Sequence, residues 1–186
     1  GEWVASRTSD RFDNINPADT ADTVGRFPAS SADDAEAAVR AAAAAFPSWR
    51  NVPISARAKV LNGAADYLEK HAAQFAEEMT REMGKPLNLS KDEILRSAQT
   101  LRFYAVEGQS FTGATFPNDD ADMTVYSQRE PLGVVSVITP WNFPVSIPAR
   151  KIAPALITGN TVVFKPSSDA PLSGLRSTSG LTLIEV

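Results

Sequence analysis

Two polar residues stand where chemistry is easiest to arrange. Asn142 lies in the run Ile138-Thr139-Pro140-Trp141-Asn142-Phe143-Pro144, directly after the apolar stretch beginning at Val134. A parallel strand there would present its carboxyl end, the place where open α/β sheets bind ligands, to the Asn142 amide. That amide either donates to a ligand atom or satisfies the backbone of its own turn. Lys165 closes a second apolar run, Thr161-Val162-Val163-Phe164. Its ammonium either reaches a bound nucleotide or snorkels off the strand end into water.

Other chemistries find little support. There is no cysteine, which removes disulfides, thiolate metal sites and thiol nucleophiles from these residues together. The one histidine, His71, falls in a long amphipathic pattern and reads as a solvated helix residue, so Ser-His-Asp chemistry has no footing. Asp33-Asp34 and Asp119-Asp120 lack calcium-loop spacing and read as a helix start and a turn, and no metal site is expected. Asn88-Leu89-Ser90 is a formal glycosylation sequon with no secretion signal to make it matter. No Gly-x-Gly-x-x-Gly occurs, so the usual dinucleotide phosphate fingerprint is missing.

The elements that must position Asn142 and Lys165 follow from periodicity. Trp3 to Pro28 suits a short hairpin around Asn16-Pro17-Ala18-Asp19. Ser31-Ala32-Asp33-Asp34 starts a helix, with a hydroxyl to cap it and acids in its first turn, that Pro47 should stop near Phe46. A second helix is expected from about Ser55 to Gly84, striped by Leu61, Ala65, Leu68, Ala72, Phe75 and Met79 at steps of three and four. A third, from about Lys91 to Gly108, repeats the stripe with Ile94, Ala98, Leu101 and Ala105. These stripes are core packing. After Gly113, Met123, Val125 and Ser127 alternate with polar partners as an exposed strand. Val134, Val135, Val137 and Ile138 then read as a strand covered on both faces. A helix from Val145 to about Ile157, kinked or broken at Pro154, and the turn Thr158-Gly159-Asn160 lead to the second such strand. Strand, crossover of about twenty residues and strand make a right-handed βαβ unit with parallel strands.

Composition agrees with a globular α/β chain: 186 residues, 43% hydrophobic and 22% charged. A net charge of −4 without a basic run excludes general attraction to nucleic acid or to an anionic membrane surface. Nothing resembles a signal peptide or a spanning segment, so a cytoplasmic location is expected.

The run from Ile138 to Pro144, followed at fixed spacing by Gly159-Asn160-Thr161-Val162-Val163-Phe164-Lys165-Pro166-Ser167, resembles the aldehyde dehydrogenase superfamily. Lys151, Pro154, Ala155 and Leu156 fit between these anchors. Upstream, Asn16-Pro17, Phe46, Trp49-Arg50, Arg57, Glu82, Gly84-Lys85-Pro86, Tyr104, Glu107 and Glu130-Pro131-Leu132-Gly133 match in order. The likeness runs from about residue 1 to Gly174.

The resemblance implies an atypical Rossmann domain that binds NAD or NADP without the glycine fingerprint. It implies that Asn142 stabilises the oxyanion formed when a cysteine thiolate attacks an aldehyde, a contribution of roughly 3 kcal/mol for such a donor. Ile138, Thr139, Pro140, Trp141 and Asn142 would line the cofactor groove. Lys165 would bind the adenine-ribose hydroxyls, with Pro166, Ser167 and Ser168 beside the same ribose. Family members strict for NAD often carry glutamate at the place of Ser168. Serine brings no repulsion for a 2′-phosphate, so tolerance of NADP, and even preference for it, is expected.

By the same resemblance, residues 1–112 form helices flanking the cofactor domain, 113–131 project as strands for dimers or tetramers, and 132–174 open the Rossmann sheet. The tail, 175–186, departs from the pattern, because Ser-Thr-Ser-Gly breaks the amphipathic rhythm of the helix expected after Leu172-Ser173-Gly174. The catalytic domain, with its cysteine and glutamate base, is absent, so this chain alone should not oxidise aldehydes. The expected substrate of the parent enzyme is a small aldehyde or semialdehyde, with Arg150 or Arg102 either attracting a carboxylate or standing as a solvated helix arginine. The competing reading is a truncated, non-catalytic module for nucleotide binding or oligomerisation, which the lack of cysteine favours.

Overall fold

The alternation around Asn16-Pro17 folds into an antiparallel pair, β1 (Arg11–Ile15) and β2 (Thr23–Pro28), in a computed structural model that describes residues 4–182. The start of the expected hairpin segment at Trp3 and the last four residues of the tail lie outside the described residues. Ser31 then begins α1 (Ala32–Trp49) with a reciprocal cap: its hydroxyl accepts from the Asp34 N–H at 3.3 Å, and its own N–H donates to the Asp34 carboxylate at 2.8 Å. Backbone donors from Arg7 and Ser31 hold the Asp34 carboxyl well below the usual carboxylate range. The expectation that Pro47 stops this helix is corrected, since α1 continues to Trp49 with Pro47 inside its last turn. A proline there forfeits a single backbone bond. The Trp49 indole N–H bonded to the Leu156 carbonyl at 3.2 Å ties the end of the helix down.

The single helix expected between Ser55 and Gly84 is two. α2 (Ile54–Lys70) and α3 (Ala72–Met83) meet at His71, whose φ of −105° and ψ of 12° leave the helical range. His71 is therefore a half-buried joint residue, which corrects its reading as a solvated helix histidine. Its ring centroid lies 4.2 Å from that of Tyr67 and 5.5 Å from that of Phe75, and its Nδ1 is 2.9 Å from the Tyr67 carbonyl. The apolar stripe keeps its period across the joint. All six stripe residues are buried, as are Ile94, Ala98, Leu101 and Ala105 on α4 (Leu87–Glu107), which packs against α2 and α3. Each large side chain so removed from water contributes about 1.5–3 kcal/mol.

β3 (Thr115–Phe116) and β4 (Val125–Tyr126) form a short antiparallel hairpin, exposed at all four positions. β5 (Val134–Ile138), α5 (Ser146–Ile157) and β6 (Thr161–Lys165) follow, and β5 pairs with β6 in parallel, Val134 opposite Thr161 and Ile138 opposite Lys165. Of the kink or break expected at Pro154, the break does not occur, because α5 passes through it. The expectation of a strand covered on both faces is corrected: on β5 only Val137 is buried, and Ile138 is 72% exposed. Among the described residues β5 has β6 as its one sheet neighbour, so its second edge and part of its surface stay open.

The tail is helical despite its broken rhythm. α6 (Pro171–Thr182) runs straight through Ser177-Thr178-Ser179-Gly180. The hydroxyls of Ser177 and Ser179 turn back onto the Gly174 and Leu175 carbonyls at 2.6 and 3.0 Å, which hides their polarity within the helix itself. Gly180 allows close packing on α2, since a Cβ there would stand 2.9 Å from the Ala64 Cα. Arg176 joins α6 to α3 through Glu78 at 2.7 Å. Among the described residues, no helix is long and apolar enough to cross a membrane.

Candidate functional site

The parallel register brings the ends of β5 and β6 side by side. The Thr139 N–H bonds to the Lys165 carbonyl at 3.3 Å, so the two corners that follow start from neighbouring points. Thr139 is buried and its hydroxyl has no hydrogen-bond partner among the described residues. Pro140, Trp141, Asn142 and Phe143 then turn outward and are exposed, Trp141 by 51%, before Pro144 and Val145 re-enter the core.

The Asn142 side-chain amide makes no hydrogen bond among the described residues, so it does not serve the backbone of its own turn. The backbone of this corner is held from outside instead. Gly84 ends α3 in the left-handed region (φ 75°) and Pro86 precedes α4, leaving Lys85 between two helix ends. Its ammonium donates to the Asn142 carbonyl at 2.8 Å, lies 4.3 Å from the Phe143 ring centroid, and pairs with Glu93. The other Glu93 oxygen accepts the N–H groups of Val145 and Ser146 at 3.0 and 3.1 Å, at the start of α5. Glu93 and Lys85 side chains are 2% and 11% exposed, so the pair is buried.

The corner after β6 has a related support. Glu82 on α3 is buried and accepts the N–H groups of Leu172 and Ser173 at 2.6 and 2.8 Å, with the Ser173 hydroxyl as a third donor. Burial pushes the Glu82 carboxyl up, against the lowering effect of those donors. Lys165 is exposed and its ammonium turns back to the Pro166 carbonyl at 3.2 Å. Pro166 and Ser167 are half-buried, and the Ser167 hydroxyl accepts the Asp169 N–H at 3.2 Å. Ser168 is exposed.

Trp141 and Ser168, one from each corner, line a common cleft of about 320 Å³ with Asn14, Glu82 and Asp169. Ile138, Thr139, Pro140, Asn142, Lys165, Pro166 and Ser167 are not among its lining residues. A nucleotide's ribose end fits this edge, where an exposed ammonium and an exposed hydroxyl can meet ribose oxygens. Its phosphates do not fit the first turns of α5 or α6. Helix N-termini attract phosphate through unsatisfied N–H groups, but here Glu93 and Glu82 already occupy both. Among the described residues, no cluster of three potential metal ligands exists.

A second cleft, about 430 Å³, lies between α4 and α5 and is lined by Arg96, Gln99, Thr100, Phe103, Tyr104 and Arg150. Neither guanidinium has an ion-pair partner among the described residues. Arg102, the other arginine considered for a carboxylate, is engaged with Asp66 and Glu69, both at 2.7 Å.

Sequence reasoning assigned no role to Lys85, Glu82, Glu93 or Arg96. A signal for Glu93 exists: Ser90, Glu93 and Ser97 recur at steps of three and four beside the apolar stripe of α4, and all three are buried. Polar residues with the spacing of a core face announce buried partners.

Comparison with known proteins gives a family. The model described as "Aldehyde dehydrogenase family" matches residues 3–182. The chain is 46% identical over 173 residues to the alpha-ketoglutaric semialdehyde dehydrogenase of Bacillus subtilis (strain 168), covering 93% of this chain and 36% of that protein. It is 39% identical to the succinate-semialdehyde dehydrogenase [NADP(+)] GabD of Escherichia coli (strain K12), covering 94% of this chain and again 36% of the relative. The NADP-dependent glyceraldehyde-3-phosphate dehydrogenase from Bacillus halodurans C-125, solved with NADP, superposes with a TM-score of 0.91 at 38% identity over 97% of this chain and 39% of that one. The chain thus spans a little over a third of the length of the proteins it matches.

Proposed function

The chain belongs to the aldehyde dehydrogenase family, and from that premise we propose that the protein carrying it is an NAD(P)-dependent enzyme oxidising a small aldehyde or semialdehyde to the carboxylic acid. The carrying observation is the parallel pairing of Ile138 with Lys165, which sets the Asn142 corner and the Lys165 end along one edge. The bound nicotinamide supplies the hydride acceptor. Asn142 donates its free amide to the carbonyl oxygen of the aldehyde as that oxygen gains charge. Lys165 and Ser168 meet the adenine ribose. Ser168 puts no negative charge beside a 2′-phosphate, which supports acceptance of NADP and a preference for it.

Arg150 and Arg96, without ion-pair partners among the described residues and beside one cleft, support a substrate that ends in a carboxylate. The exposed apolar side chains of the hairpin, Phe116, Val125 and Tyr126, support pairing between copies into a dimer or tetramer. Residues 1–186 hold no cysteine, so by themselves they lack the thiol this chemistry uses. That fact favours a second reading, a nucleotide-binding or oligomerisation module without catalysis.

Intact mass separates the two readings. A 19.9 kDa species that binds NADP(H) without oxidising aldehydes supports the module. A much larger species that oxidises 2-oxoglutarate semialdehyde or succinate semialdehyde supports the enzyme. In that enzyme Asn142→Ala should lower kcat by about 10²–10³-fold, the cost of one oxyanion donor. An unchanged kcat would remove Asn142 from the reaction.

A further inference from the structure

We propose that the buried Lys85–Glu93 pair is the positioning device for the Asn142 amide, gripping the corner on both sides of Pro144. This rests on the reading of Asn142 as the oxyanion donor. A donor of that kind must be held to a fraction of an ångström, and its side chain cannot be fixed by its own hydrogen bonds if it is to stay free for substrate. The Asn142 amide has no partner among the described residues, so its position is inherited from backbone. Glu93 fixes the backbone after Pro144 through the Val145 and Ser146 N–H groups. Lys85 fixes the backbone before Pro144 through the Asn142 carbonyl and the Phe143 ring.

The two grips are one unit, because the Lys85 ammonium also pairs with the Glu93 carboxylate. The carboxylate thereby draws the helix start and the exposed loop toward a common point. The anchor itself is rigid: Lys85 is confined between the end of α3 and the start of α4, and Glu93 is two turns into a helix packed in the core. A pair serving stability alone would have no need of the Asn142 carbonyl. Lys85 would then bond Glu93 and water, and Asn142 would cap its own turn.

Three variants of the intact protein test the proposal: Lys85→Met, Lys85→Arg as the conservative rescue, and Glu93→Gln as the second way to open the grip. Backbone hydrogen exchange gives the first readout. In Lys85→Met, residues 142–147 should exchange at least about tenfold faster relative to α2 and α4, and Lys85→Arg should restore most of the protection. Steady-state kinetics gives the second. Lys85→Met should lower kcat at least about tenfold with NADP affinity and the KM for aldehyde little changed, and Lys85→Arg should recover part of it. Exchange that rises equally across the helical core, or a loosened corner with full kcat, overturns the proposal. If the unsubstituted protein oxidises no aldehyde, the functional reading fails, while the exchange experiment still decides whether the pair holds the corner.

Discussion

The corner after β5 and the corner after β6 use the same means in different electrical settings. In each, a buried carboxylate from the helical layer takes the first N–H groups of the next helix. Glu93 faces a buried ammonium as well, and its partner Lys85 reaches on to the exposed loop. Among the described residues Glu82 meets only neutral donors, and the Ser167–Asp169 turn beside it is held by a local bond. The difference teaches that one corner is clamped through its loop and the other only at its helix. The fixed donor proposed at Asn142 suits the first, and the proposed ribose contact suits the second.

Neutralising the two carboxylates is the strongest way to break this contrast. Glu93→Gln leaves the Lys85 ammonium buried without its charge partner and should cost about 3–5 kcal/mol, read by chemical denaturation. Glu82→Gln keeps an acceptor for the α6 N–H groups and should cost about 1 kcal/mol. Equal losses would mean that the two corners are not different in kind.

A smaller effect is expected at the ribose edge. Ser168→Glu puts a carboxylate where a 2′-phosphate would lie and should shift the NADP-to-NAD preference by about tenfold toward NAD, roughly 1.4 kcal/mol. The ratio of kcat/KM values for the two cofactors checks this, and no shift would place the ribose elsewhere.

The smallest effect concerns protonation. Burial raises the folded Glu82 pKa above its ordinary 4.5, so the folded state binds the proton more tightly than the unfolded one. That contribution is fully present below pH 4.5 and is lost as pH rises through the folded value. The deficit of Glu82→Gln relative to the parent should therefore grow as pH falls from 7 toward 4.5. Thermal melts across that range check the sign, and a deficit that shrinks would mean the carboxyl is held charged.

Much of this contrast was hidden from the sequence for identifiable reasons. The apolar stripes of α2 to α4 were legible because helical period and burial coincide. The parallel pairing of β5 and β6 was legible because two apolar runs flank a helix-length crossover. The joint at His71 was not, since the stripe keeps step across it. Nor was the continuity of α6, where Ser177 and Ser179 satisfy their hydroxyls inside the helix rather than breaking it. The exposure of Ile138 depends on what lies beside β5, which a strand's own residues do not encode. Glu82 and Glu93 act across 90 and 52 residues of chain, on Leu172 and Val145, and no local pattern pairs them with their targets.

Hydrogen exchange of the intact protein with and without NADP tests the proposed shared cofactor edge most directly. Residues 138–142 and 165–168 should become protected together as the nucleotide saturates. Protection of one segment without the other, or of neither while NADP binds elsewhere, would contradict the account.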